Sequence, residues 1–228
     1  MKNLLFALTV ALTLQATFAT DACATDREWV SYNDLLDHTY LAKFYSVPVS
    51  QRDHVRMRGL LIPNNKAFKP ADVVLTIAAK EGAEAIHVDP DGNFDLPDNP
   101  QWVKQNPMIL TSLPPGEKSA IGFNAFAVLP TENRFNYSVL MASVTQANQL
   151  VNQFAGVLKM FAPKFDGVDV HFAKPAQQTI QLLTKAGPQL LNVGSKGTIK
   201  LKLDNELLRE DPQVVFSEHA VYGDLTTK

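Results

Sequence analysis

Apolar residues along this chain recur in short runs broken by Gly, Pro, Asn and Asp, which is the spacing of short strands joined by turns. Asp72–Ala79 is mostly apolar, Gly82 breaks it, and Ala83–Val88 follows as a second strand. Asp89-Pro90-Asp91-Gly92 is turn chemistry, with Asp at i, Pro at i+1 and Gly at i+3. Phe94 and Leu96 alternate into a third strand, Trp102–Gln105 predicts a helical turn stopped by Asn106-Pro107, and Met108–Ser112 returns to strand. Helical spacing shows in Val144, Ala147, Val151, Phe154, Leu158 and Phe161, with Ser143 as the expected N-cap and Pro163 as the stop. The other face of that helix (Thr145, Asn148, Gln149, Asn152, Gln153) is polar but uncharged. A weaker helix is predicted around Leu35, Leu36, Tyr40, Phe44 and Tyr45, ending before Pro48. Strands Val55–Ile62 and Val168–Ala173 follow the two helices.

The order of elements repeats. At a constant shift of 105, residues 69–112 align with 174–217 without a gap. The identical pairs are Lys69/Lys174, Pro70/Pro175, Ala71/Ala176, Lys80/Lys185, Gly82/Gly187, Val88/Val193, Gly92/Gly197, Leu96/Leu201, Pro107/Pro212 and Ser112/Ser217. Ordinary composition would give roughly three such matches over this length. The expected fold is therefore mainly β with accessory helices (α+β): two tandem β-sandwich-like modules, each preceded by a helix. Residues 25–130 form the first and residues 131–228 the second. The first copy ends in an extended segment, Ala120–Leu129, whose counterpart would begin near residue 225, so the second copy is expected to lack its final strand. Arg134–Met141, with Phe135, Tyr137, Val139 and Met141 alternating, would fill that vacancy or lead into the helix; if it does not fill it, an open edge at Val214, Val215, Phe216 and Ser217 would accept a strand from a protein or envelope partner.

The N-terminus changes where this protein is expected to work. Lys2 precedes an apolar run, Leu4–Leu14, and small residues follow. That is the layout of a signal peptide occupying residues 1–24, with cleavage after Ala19 or Ala24 and a secreted or periplasmic destination. The lone cysteine, Cys23, allows no intrachain disulfide. The run is too short to span a bilayer, and a net charge of −2 gives no bulk attraction for nucleic acid.

Candidate chemistry is sparse. Asp89, Asp91, Asn93 and Asp95 put oxygens at alternate positions, like the opening of a calcium loop. Phe94 stands where an EF-hand needs Gly, and Pro100 stands where it needs Glu. His87, two residues before Asp89, would share a strand face with it and adds a fifth candidate metal ligand. Ser217-Glu218-His219 holds triad residue types, but neighbours on a strand point to opposite faces. The copies share no identical carboxylate or histidine, so any catalysis belongs to one copy or to their junction. The run Asp91–Pro97 (DGNFDLP) resembles the D-G-x-F-x-L-P hairpin of prealbumin-like and carboxypeptidase-regulatory-like β-sandwich modules. That resemblance implies a sandwich used for binding or spacing. The expected function is non-enzymatic binding or scaffolding in the envelope; the alternative is a hydrolase or metal-dependent enzyme sited in the first module.

Overall fold

The computed structural model describes residues 27–155, 164–174, 177–194 and 197–227. The signal-peptide reading, with Cys23 and both cleavage positions, lies outside the described residues, as do Leu158, Phe161 and Pro163 of the expected helix. The fold is mainly β, in the α+β class, with five α-helices among the described residues. No helix among the described residues is long and apolar enough to cross a membrane.

The first half runs β1 (Arg27–Ser31), α1 (Tyr32–His38), α2 (Leu41–Ser46), β2 (Val55–Pro63), β3 (Leu75–Ala79), β4 (Gly82–Ile86), β5 (Asn93–Phe94), α3 (Pro100–Gln105), β6 (Met108–Thr111) and β7 (Ser119–Ala127). The second runs β8 (Arg134–Asn136), α4 (Tyr137–Ala155), β9 (Phe165–Phe172), β10 (Thr179–Thr184), β11 (Gly187–Asn192), β12 (Thr198–Lys202), α5 (Asn205–Glu210), β13 (Gln213–Phe216) and β14 (Ala220–Thr227). The strands form two four-stranded sheets, β1-β6-β3-β4 and β11-β10-β13-β8, and one six-stranded antiparallel sheet, β12-β9-β14-β7-β2-β5.

Positions 105 apart make the same local structure. Tyr32 and Tyr137 are both fully buried. Their hydroxyls donate to the Pro97 and Lys202 carbonyls and accept the Asn99 and Asp204 amides. Asn99 and Asp204 then cap α3 and α5 through their side chains. Asn106 and Asp211 end those helices in the left-handed region, at φ 48° and 50°, and turn their side chains onto the first turns of α1 and α4, where they accept the Asn33 and Ser138 amides. Ser112 and Ser217 accept the Val74 and Thr179 amides.

Four expectations are corrected. The second half does have a final strand: β14 pairs with β9 as β7 pairs with β2. It was hidden because the connection before it is shorter than the one before β7, so a constant shift overshoots it. The edge at Val214–Ser217 is closed by β8, from the Arg134–Met141 segment expected to fill it or lead into the helix. β13 lies between β10 and β8, with Val214 opposite both Leu182 and Phe135 and Val215 opposite both Gln181 and Arg134. The Phe216 amide donates to Asn133 O and the Ser217 amide to Thr179 O. Finally, the helix expected near residues 35–45 is two helices, broken at Tyr40 (φ 57°), and α4 starts at Tyr137, so the buried Ser143 sits inside it rather than capping it.

The halves are not independent units. The long sheet takes β5, β2 and β7 from one and β12, β9 and β14 from the other, joined where Gly223 and Asp224 pair with Ala127 and Phe126. Helix α4 serves both cores: Leu140, Met141 and Val144 pack into the second, Ala147 and Leu150 into the first. Gln146 ties the same helix to the first half, accepting the His54 amide at 2.7 Å and donating to Asp53 at 2.8 Å. Asn148, on the face predicted as uncharged and polar, brackets Phe165 with bonds to its N–H and C=O.

Candidate functional site

Side-chain alternation splits the six-stranded sheet into two faces. Val55, Met57, Leu61, Phe94, Val168, Val170, Ile199 and Leu201 point into the cores. Gly59 belongs to that face, and the Phe94 ring lies over it where a side chain would otherwise stand. The opposite face carries Arg56, Arg58, Asn124, Phe126, Tyr222, Asp224, His171, Asp169 and Lys200, in register across β2, β7, β14, β9 and β12. A cleft of about 700 Å³ opens on this polar face over the join of the two halves. Its walls come from Arg56, Arg58, Asp89, Asp91 and Asn93 on one side, from Phe126–Thr131 along the chain leaving β7, and from His219–Tyr222 entering β14.

One wall is a closed ionic network. Asp89-Pro90-Asp91-Gly92 forms the expected turn, with the Gly92 amide donating to Asp89 O at 2.9 Å. Gly92 has φ +88°, and a Cβ there would fall 2.4 Å from Leu61 O, so glycine is required. The Asp89 carboxylate accepts the Asp91 and Asn93 amides and, at 2.6 Å, Arg58 Nη1. Burial alone would raise this carboxyl, but the Asn93 amide and the Arg58 guanidinium outweigh it and hold it below the usual carboxylate range. Asp95 takes Arg56 at 2.7 Å and lies 3.3 Å from Arg58 Nε, an ion-pair distance without hydrogen-bond alignment. Asn124 donates to the buried Asn93 side chain at 2.7 Å.

The residues of the calcium-loop reading are drawn into that network or lie apart from it. Asp89 and Asp95 meet on an arginine, Asn93 turns to Asn124, Asp91 is exposed, and His87 is exposed outside the cleft. No group of three or more His, Cys, Asp or Glu among the described residues is placed to hold a metal ion. The second half builds the same turn from Gly194 and Gly197, without a carboxylate. Ser217 is tied to Gln178 and to the Thr179 amide, and His219 lies apart on the cleft rim.

The other wall escaped the sequence. His171 stacks on Tyr222 (centroids 4.1 Å, planes 18° apart), and Phe126 meets the same ring edge-on at 6.0 Å. His171 Nε2 lies 2.8 Å from Asp224. Burial pushes the Asp224 carboxyl up; His171 offsets part of this, while Asp169 and Asp91 add to it. Burial, with Asp224, Asp91 and Asp89 nearby, also raises the Tyr222 phenol. Asp169 keeps one buried oxygen without a hydrogen-bond partner. The signal was there as Tyr222-x-Asp224 and Asp169-x-His171, but it is readable only once β14 is recognised as a strand paired with β9.

The sequence model of a family described as "Protein of unknown function (DUF2987)" matches residues 50–172, more than half of the chain. The chain belongs to that family. The family match straddles residue 130: it begins ahead of β2, takes in α4 and ends with β9, so it covers the Arg56–Asp95 network and the helix shared by both cores. No curated protein and no solved structure matches the chain.

Proposed function

We propose that this is a non-enzymatic binding protein of the cell envelope, that it arose by internal duplication, and that its ligand seats on the polar face of the six-stranded sheet. The observation that carries the reading is the cleft at the join. Arg58 and Asp89 from one half face Tyr222 from the other, so neither half holds the site alone. Both of its arginines are already paired, Arg56 with Asp95 and Arg58 with Asp89, which suits a preformed recognition surface better than a reaction centre needing a free base or nucleophile. Export is supported by the Lys2–Ala24 pattern, which suits a protein that meets its ligand outside the cytoplasm.

A hydrolytic alternative has one observation in its favour, the His171–Asp224 contact beside Tyr222. Burial makes Tyr222 a weaker nucleophile, because its phenolate is harder to form. NMR of the isotope-labelled protein titrated with fractionated envelope extract tests both readings. The binding reading expects amide shifts concentrated in residues 126–131 and 219–224, with the ligand recovered intact. Chemically altered ligand, or shifts confined to the four-stranded sheets, would overturn it.

A further inference from the structure

We propose that the cleft takes a neutral polyhydroxylated ligand, a saccharide chain, with Tyr222 as its stacking platform. This rests on the binding reading above and adds the ligand class to it.

The charge balance argues first. The cleft lining carries two arginines, Arg56 and Arg58, and two aspartates, Asp89 and Asp91, for a formal sum of zero apart from His219. An anionic ligand binding Arg58 would have to strip it from Asp89, replacing a short charge-assisted bond with an equivalent one at no gain. A cationic ligand meets guanidinium groups at Asp89 and Asp95, and only the exposed Asp91 offers it a carboxylate outside an ion pair. A neutral ligand leaves every pair intact. A hydroxyl both donates and accepts, so neighbouring hydroxyls match adjoining carboxylate acceptors and guanidinium donors. Arg56 offers that combination with Asp95, and both side chains are more than half exposed.

The aromatic wall supplies the second half of the match. His171 covers one face of the Tyr222 ring and Phe126 meets it edge-on, so the ring is held in place before any ligand arrives. A fixed aromatic surface beside planar polar groups suits a pyranose, whose C–H face is apolar and whose rim is hydroxylated. Val128 and Val221, both exposed on the rim, extend the apolar strip along the open side. A cleft of about 700 Å³ is in the range of sites for organic ligands and has room for more than one sugar ring.

Isothermal titration calorimetry of the signal-processed chain with cellohexaose, maltohexaose, mannohexaose and chitohexaose tests the class. Saturable binding of at least one oligomer is expected, with Kd below about 10 mM. Affinity should fall about tenfold or more in Tyr222→Ala, and measurably in Arg56→Gln, a surface change that leaves the fold intact. Inorganic phosphate and calcium chloride should not compete. The proposal is overturned if none of the oligomers saturates, if phosphate displaces the bound one, or if both variants bind as the parent does. If the sugars fail while an extract ligand still shifts residues 126–131 and 219–224, the ligand class is wrong and the cleft reading stands. Sugar binding that shifts only residues elsewhere removes the cleft itself.

Discussion

Replacing Tyr137 by Phe removes one oxygen and keeps the ring. That oxygen bonds two backbone groups, donating to Lys202 C=O and accepting the Asp204 amide at 3.0 Å. The bond to Lys202 lies in a part-buried contact, and its loss leaves the Lys202 carbonyl short of a partner at a cost of about 1–3 kcal/mol. Asp204 is exposed, and its amide can find water, which limits that loss to about 0.5–1 kcal/mol. The sum is about 1.5–4 kcal/mol. Tyr32→Phe orphans Pro97 C=O in the same way, with a longer second bond to the Asn99 amide at 3.4 Å, so its loss should be about 1–2 kcal/mol. In urea, with an m-value of about 3 kcal/mol/M for a chain of this size, the midpoints should drop by about 0.8 M and 0.5 M. Because α4 and the long sheet join the halves, one transition should move in both variants, and the double variant should show the sum, as expected for distant sites. Either substitution leaving the midpoint in place would refute the hydrogen-bond argument. A two-step curve, with each variant shifting a different step, would refute the coupling.

Three further outcomes follow from other sites. Gly59→Ala puts a Cβ within 2.2–2.7 Å of Phe94 ring carbons, so it should lower Tm by about 6 °C or more by calorimetry; an unchanged Tm would mean that the ring does not cover that glycine. Gln146→Leu leaves the His54 amide without its 2.7 Å acceptor, and hydrogen exchange at that amide should quicken by about tenfold. Asp89 and Asp224 should give opposite pH dependence, read from Tm against pH for Asp89→Asn and Asp224→Asn. Asp89 is held low in the fold, so its contribution is present above its unfolded value of 3.8 and lost as pH falls through its lower folded value. The penalty of Asp89→Asn should therefore shrink in acid. Asp224 is raised, so its contribution is present below 3.8 and lost as pH rises through its folded value. For Asp224→Asn, the Tm difference from the parent should shift in the variant's favour across that rise.

Local pattern carried much of the fold. Turn residues at Asp89–Gly92, the apolar spacing of residues 144–154 and the shift of 105 were all legible, because each concerns neighbours or a constant count. What escaped depended on pairing between distant strands. Arg58 reaches Asp89 across 31 positions of sequence, through a turn lying over β2, and nothing local announces it. Oxygens at alternate positions look alike whether they await a cation or an arginine from the next strand. The β14 residues were lost for a different reason: Tyr222 and Asp224 fall where a gapless alignment has no room left for a strand. The Tyr32/Tyr137 pair keeps the shift of 105 yet lies outside the aligned block, because the helices after it differ, two short ones against a single long one.

Helix α4 has a consequence for how such a chain could evolve further. With Ala147 and Leu150 filling the first core from a helix that continues into the second, the two halves are not interchangeable beads. A gene break near residue 130 would yield one piece with a hole in its interior and another with an apolar stripe facing water. Recombination could shuffle such a protein only as a whole, which leaves surface loops, rather than half-length exchange, as the place where related chains can diverge.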